Sequence, residues 1–513
     1  MIESLNNKNN AYSRTQLTGL LLGFLLFIAF QFLDFGPENI AAKRLASVAV
    51  LMAFWWITEA IPLGVTSLLP IFMFPLLDIV NTKVVASEYF NSTIFLFIGG
   101  FFIAIAMETW NLHKRIALII IRLLGFGASG MILGFMVASA FLSMFISNTA
   151  TAIMMLPIGM AVLVKLEQTY SQQSSHNFST PLMLGIAYGA SVGGIATLVG
   201  TPPNLALVRI FHITFPNAPE ISFGNWMVLA LPISLVMLAI TWLLLTKILF
   251  KIPQKLKVDR NDIKQEYKAL GKMSFEEKSV LAVFVLTGLL WIFRADISIG
   301  ALVIPGWSHI LKTPEFIDDG TIAVIMASLL FALPAKSNTQ RSLLVAKSFK
   351  KIPWEIIILF GGGFALAKGF QVSGLSELLG EQFKGFENIH PLFMVIVVCF
   401  GLTFLTELTS NTATTQTLLP ILAAIAVAMN INPLFLMIPA TISASFAFML
   451  PVATPPNAIV FGSGKIKISE MARTGLIINL IGVIVVSTMF YFLGDFLFNI
   501  NPIDFPDWAI PIK

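Results

Sequence analysis

Two short polar runs interrupt the apolar stretches of this 513-residue chain, and they are the same run. Ser147-Asn148-Thr149-Ala150-Thr151 returns 263 residues later as Ser410-Asn411-Thr412-Ala413-Thr414. Each is followed by a second shared signature, Gly200-Thr201-Pro202-Pro203-Asn204 and Ala453-Thr454-Pro455-Pro456-Asn457, 253 residues apart. Two unusual motifs that recur in the same order and at nearly the same spacing point to a duplicated membrane carrier whose binding site forms where the copies meet.

The residue types indicate what such a site would hold. Two consecutive prolines remove two amide donors, and the residue before a proline is pushed out of the α region, so each Thr-Pro-Pro breaks a helix. Unwound backbone at membrane depth is tolerated only where it is buried in protein or lines a wet cavity. Ser and Thr hydroxyls, Asn side-chain carbonyls and freed backbone carbonyls are neutral oxygens that suit a hard monovalent cation such as sodium. Asn amide donors, Thr hydroxyls and half-helix N-termini suit a carboxylate or another oxyanion. Neither polar run contains Lys, Arg or His. Bound cations would therefore have to neutralise the anion, which links the two affinities and makes symport the economical mechanism. Two matched donor sets suggest a substrate with two anionic ends.

The elements that must position these residues follow from composition. With 57% hydrophobic and 12% charged residues and a mean hydropathy of +0.85, the chain cannot cover a soluble protein of this size with polar side chains. Apolar windows recur from Leu17 onward, which favours helical spans over a barrel and gives an all-α polytopic membrane protein. The charge of +5 and pI of about 9.1 sit in loops beside apolar segments, as topology signals do, and do not indicate nucleic acid. Lys247, Lys251, Lys255, Lys257, Arg260, Lys264, Lys268, Lys272 and Lys278 place the loop around 251–276 in the cytoplasm, and the acidic 296–319 loop lies outside. Working outward, the N-terminus is inside and the tail 501–513 outside, with about 11 spans, provided both polar runs enter and leave on one side. Residues 131–164 would make a helix of roughly 51 Å, too long for one span and too short for two, so a re-entrant hairpin tipped by Ser147 to Thr149 is expected. Residues 391–429 repeat it from the opposite face, and broken helices are expected over 183–212 and 434–463.

Both halves also carry a Gly-rich helix, Phe97-Ile98-Gly99-Gly100-Phe101 and Phe360-Gly361-Gly362-Gly363-Phe364, each followed by an amphipathic stretch, 109–124 and 369–383, that reads as an interfacial arm. Glu59 reads as an intramembrane carboxylate in a structural pairing or at the interface, with proton relay the rival reading. Glu108 reads as the solvated start of the first arm, and Glu407 as either a tuner of the second cation site or a structural hydrogen-bond partner. The five histidines, His113, His176, His212, His309 and His390, show no metal-ligand spacing, and Cys399 reads as a buried thiol. No Walker motif, nucleophile elbow or catalytic acid pair stands out, so neither ATP hydrolysis nor other enzyme chemistry is expected.

The paired SNTAT and (G/A)TPPN motifs resemble the divalent anion:sodium symporter family, over the chain from Phe54 to Asn457. The resemblance implies co-transported sodium, a homodimer in the plasma (inner) membrane, and an elevator in which a transport domain moves against a fixed scaffold. It implies a first sodium site at Ser143, Ser147, Asn148 and Gly200 and a second at Thr406, Thr409, Asn411 and Ala453, with Thr409 and Ala453 acting through carbonyls. Anion contacts would come from Asn148, Thr149, Thr201, Asn411, Thr412 and Thr454. The scaffold would comprise 1–125 and 277–388, and the transport domain 126–250 and 389–500. Sodium-coupled import of a C4-dicarboxylate such as succinate, malate or fumarate is the leading expectation. A sodium-independent exchanger, a sulfate or citrate carrier and an anion channel remain rivals. Thr409 stands where the family usually has a smaller residue, and Thr415-Gln416-Thr417 adds polarity after the second motif, which leaves substrate preference open.

Overall fold

The computed structural model describes residues 12–169, 172–250, 252, 261–300, 302–337, 340–383, 389–498, 500 and 505–510. Lys251, Lys255, Lys257 and Arg260 of the basic loop, the first 11 residues, and tail positions 501–504 and 511–513 lie outside the described residues. Among the described residues, eight helices are long and apolar enough to cross a membrane and five shorter apolar helices stand between them.

Local sequence explains where many helices begin. Ser13 and Ser274 form capping boxes with Gln16 and Glu277, and Asn91 and Ser222 accept the first free amides of the helices Ser92–Thr109 and Phe223–Leu243. The first polar run falls in a helix hairpin, Gly127–Ser143 then Asn148–Thr169, and the second in Pro391–Thr406 then Asn411–Ala428. Ser147 Oγ accepts the Ala150 amide at 3.2 Å and Ser410 Oγ the Ala413 amide at 3.5 Å, so each run caps its returning helix in the same way.

Behind each hairpin lies an interrupted helix: Gln172–Gly194 then Pro202–Thr214, and Leu434–Ala444 then Pro455–Phe461. The prolines stand at the first two positions of the second half-helix, where a missing amide costs no hydrogen bond. The unwound stretch therefore precedes the Thr-Pro-Pro run, and the prolines restart the helix. The first interrupted helix also begins at Gln172 instead of near 183, because its opening turns are polar and carry no apolar signal.

The two copies are tied together. Tyr188 of the first donates to the Phe448 carbonyl of the second at 2.8 Å, Thr180 Oγ1 to the Lys465 carbonyl at 3.1 Å, and Lys465 pairs with Glu167 at 2.5 Å. A separate apolar core unites the helices Ile40–Thr58, Leu69–Leu76 and Trp354–Ser373 through Leu45, Met52, Trp56, Phe74, Leu366 and Phe370. The Gly-rich helices supply the close contacts expected of them: Gly99 lies against Ala323 and Gly362 against Ser67, where an added methyl group would collide with backbone.

Three expectations are corrected. The fold is not purely helical, because Ile297–Ile299 and Leu302–Ile304 form a small antiparallel hairpin, Ile297 opposite Ile304. The second arm is not one stretch, since Trp354–Ser373 runs through Gly369 to bury Phe370, and a new helix, Leu375–Glu381, starts only after Gly374 turns the chain at φ +78°. The first arm, Leu112–Leu124, starts beyond Thr109, and it turns a charged residue inward: Arg115 meets Glu277 at 2.9 and 3.0 Å, both side chains at most 7% exposed. Removing one member of such a pair strands the other, so Glu277→Ala is expected to lower stability by roughly 3 kcal/mol. Thermal unfolding in detergent measures this, and an unchanged midpoint would contradict it.

Candidate functional site

Both hairpin tips and both unwound stretches face one cavity of about 1090 Å³. From the first copy it is lined by Ser147, Asn148, Thr149, Gly200 and Thr201. From the second come Thr409, Asn411, Thr412, Ala453 and Thr454. Helices start at its wall at Asn148, Pro202, Asn411 and Pro455, so amide N–H groups and the positive ends of helix dipoles border the space. Among the described residues its lining includes no Lys, Arg or His, and the ionisable side chains there are Glu59 and Glu355.

Ser143 and Thr406 do not reach the cavity. They sit behind the tips, fully buried, and make a mirrored clasp. The Ser143 hydroxyl bonds to Asn148 Oδ1, and Thr406 Oγ1 lies 2.6 Å from Asn411 Oδ1 and 2.9 Å from the Ala444 carbonyl. Each clasp crowds two or three oxygens around one hydroxyl proton. Clustered neutral oxygens are the ligand type that hard cations take.

In the first copy backbone carbonyls complete the cluster. A Cβ placed on Gly200 would meet the Ser143 carbonyl oxygen at 3.0 Å and the Gly194 carbonyl oxygen closer still, and one on Gly194 would lie 2.6 Å from Asn148 Oδ1. Three of the four residues expected in the first set, Ser143, Asn148 and Gly200, are thus brought together, with Gly194 added, while Ser147 lines the cavity beside Asn148 and spends its hydroxyl on the Ala150 amide. In the second copy Thr409 spends its hydroxyl inside the hairpin, 2.9 Å from the Leu405 carbonyl and 2.6 Å from Thr414 Oγ1, which leaves its carbonyl as the available donor.

Two buried residues within the repeated motifs have a role that sequence reasoning did not assign. Asn204 Nδ2 donates to the Thr197 carbonyl at 2.7 Å and the Ile195 carbonyl at 3.2 Å, and Asn457 Nδ2 to the Ala447 and Leu450 carbonyls at 3.0 Å each. These amides replace helix hydrogen bonds that the unwound stretches forgo. Their recurrence as the last letter of both motifs was the available signal.

The acids separate clearly. Glu59 is no buried membrane carboxylate: it is exposed at the left-handed end of Ile40–Thr58, φ +46°, on the rim of the cavity. Glu108 is half-buried in the last turn of Ser92–Thr109 and does not open the arm. Glu407 is buried and accepts hydrogen bonds from backbone amides of the second unwound stretch.

Comparison with known proteins fixes the family. Residues 17–500 match the family described as "Sodium:sulfate symporter transmembrane region". The chain belongs to that symporter family. Relatives within reach of direct alignment are the sodium-dependent dicarboxylate transporter SdcS of Staphylococcus saprophyticus, 44% identical over 96% of this chain and 94% of the relative, and SdcS of Staphylococcus aureus, 45% identical over 97% and 95%. At the level of fold, this symporter chain is similar to Neisseria gonorrhoeae MtrF, whose structure was described as illuminating a class of antimetabolite efflux pumps. The TM-score is 0.57 at 10% identity, over 95% of this chain and 96% of that one.

Proposed function

We propose that the protein is a secondary carrier that imports C4-dicarboxylates such as succinate, malate and fumarate together with sodium, by an elevator movement within a homodimer. The observation that carries this reading is the mirrored pair of hydroxyl–asparagine clasps at a cavity without a basic side chain. Cations held at Ser143, Ser147, Asn148 and Gly200, and at Thr406, Thr409, Asn411 and Ala453, supply the positive charge. Thr149, Thr201, Thr412 and Thr454, with the two asparagine amides, take the carboxylates of a dianion bound between them. Relatives named as dicarboxylate transporters favour a dicarboxylate over sulfate.

The moving unit comprises the two hairpins, the two interrupted helices, the helix Phe223–Leu243, which bonds the first of them through Trp226 and Ser234, and Ile468–Phe498, whose Glu470 pairs with His176 across the copies; the core around Trp56 and Phe370 belongs to the scaffold. With the N-terminus in the cytoplasm and the C-terminus outside, Ser13, Gln16, Glu59 and Glu355 on the cavity rim are cytoplasmic, and the cavity faces inward. The membrane potential contributes about 2.3 kcal/mol per net charge per 100 mV, so inward drive from it requires more sodium charge than anion charge.

Proteoliposomes loaded without sodium test the reading. Labelled succinate is expected to accumulate on a sodium gradient and not on an equal choline gradient, and unlabelled malate or fumarate to compete better than sulfate or citrate. Undiminished net uptake in choline would replace symport by exchange or uniport.

A further inference from the structure

The two unwound stretches are held by different chemistry. In the first copy the freed carbonyls meet neutral donors, the Asn204 amide and Trp226 Nε1 on the Ile195 carbonyl at 2.9 Å, and the Thr197 hydroxyl of the stretch donates to the Met144 carbonyl at the hairpin tip. In the second copy the freed amides of Phe448, Met449 and Leu450 converge on one carboxylate. Glu407 accepts them at 2.7, 2.8 and 3.1 Å, and Asn479 Nδ2 adds a fourth donor at 2.7 Å. Glu407 is 3% exposed, and the ion pairs of the described residues do not include it. Four N–H donors and no acceptor suit the ionised carboxylate, which only accepts. Its counterpart 263 residues earlier is Met144, so this charge exists in one copy only.

We propose that Glu407 is the positioning residue of the second cation site and makes that site the tighter of the two, so that sodium fills the second half before the first. The assignment presupposes sodium as the cargo cation. Three features link the carboxylate to the site. Glu407 directly follows Thr406, the clasp residue, at the hairpin tip. Leu450, whose amide it holds, is also the residue to which the motif is tied, its carbonyl accepting from the Ala453 amide at 3.2 Å and from Asn457 Nδ2 at 3.0 Å. Tyr188 grips the same stretch from the other side through the Phe448 carbonyl. With the stretch fixed, the oxygens of Ala453 and Asn411 do not have to be gathered when the cation arrives. A buried negative charge on the residue next to the clasp adds attraction that water screens little, enough to tighten cation binding about tenfold or more.

Sodium binding without substrate can be followed by the melting temperature of the purified full-length protein in detergent, with choline holding ionic strength constant, because a ligand of the folded state raises the midpoint by mass action. Wild type is expected to rise against the logarithm of sodium with two successive increases of slope, the low-sodium and the high-sodium step, whose onsets differ by about tenfold or more. Glu407→Gln keeps the size and one acceptor but removes the charge; it should lose the low-sodium step and keep the high-sodium one. Asn148→Ala should do the reverse. Glu407→Asp keeps the charge while shortening its reach, and should shift only the low-sodium step, by about threefold, with the two-step curve preserved. If Glu407→Gln shows no folded baseline in choline, the Asp variant decides alone, and a shift confined to the high-sodium step overturns the proposal. A low-sodium step that persists in Glu407→Gln, or vanishes in Asn148→Ala, also overturns it. A wild-type protein stabilised in one step lost equally in both variants sinks the ordering and leaves sodium coupling standing. No difference between sodium and choline in wild type sinks both.

Discussion

Alanine at Asn148 or at Asn411 is expected to abolish sodium-driven dicarboxylate uptake, each alone cutting the initial rate by about a hundredfold or more. Each asparagine is the first residue of a returning half-helix, and each does two jobs with one side chain. Its Oδ1 belongs to the clasp with Ser143 or Thr406, and its amide is left for the cavity. Truncation removes a cation ligand and an anion donor together, each worth about 1–3 kcal/mol where water is excluded, and the losses compound because cation and anion binding are linked. Both residues are only partly buried and alanine favours helix, so the variants should melt within a few degrees of wild type. Labelled succinate uptake at saturating sodium, read beside that melting temperature, is the measurement. Near-normal uptake by either variant would mean that the mirrored clasp is not where cargo binds.

Much of this site could be read before any coordinates, for a physical reason. A polar run inside an apolar one is costly in a membrane, so its mere presence marks backbone that must be accommodated, and duplication marks it twice. The hairpin limits were close for the second copy, where Pro391 opens the helix, and slightly short for the first, where Gly127–Ser143 starts before the apolar run is unmistakable. What stayed hidden depends on neighbours distant in sequence. Gly194 matters because the Asn148 side chain comes to rest against it, and no local pattern announces that. The amphipathic stretch of Leu112–Leu124 reads as an interfacial arm until Glu277, far along the chain, claims Arg115. Glu407 is the sharpest case. Its sequence position beside Thr406 leaves two readings open, a tuner of the second cation site and a structural hydrogen-bond partner, and the backbone amides it accepts from are free only because a helix more than thirty residues downstream unwinds.

Gly200→Ala is expected to raise the sodium half-saturation for uptake by about tenfold or more, and to stop transport at low sodium, because overpacking of this kind costs about 1–3 kcal/mol. The added methyl would press on the Ser143 carbonyl oxygen at 3.0 Å and on the Gly194 carbonyl, and both are backbone atoms that cannot rotate away as a side chain would. They are also the oxygens that close the first cation cluster, so the strain falls on the ligands themselves. Gly401→Ala is the matched control: it lies in the neighbouring hairpin helix Pro391–Thr406, exposed, with no atom within 4 Å of the new methyl, and alanine there should leave uptake unchanged. The second copy already shows that a methyl is tolerable in a different setting, since the position equivalent to Gly200 is Ala453, at the end of an unwound stretch that runs from 445 to 454 instead of 195 to 201. Ala453→Gly should therefore be mild where Gly200→Ala is severe, and equal sensitivity at the two positions would show that the shorter unwound stretch does not set how closely the first cation cluster is packed.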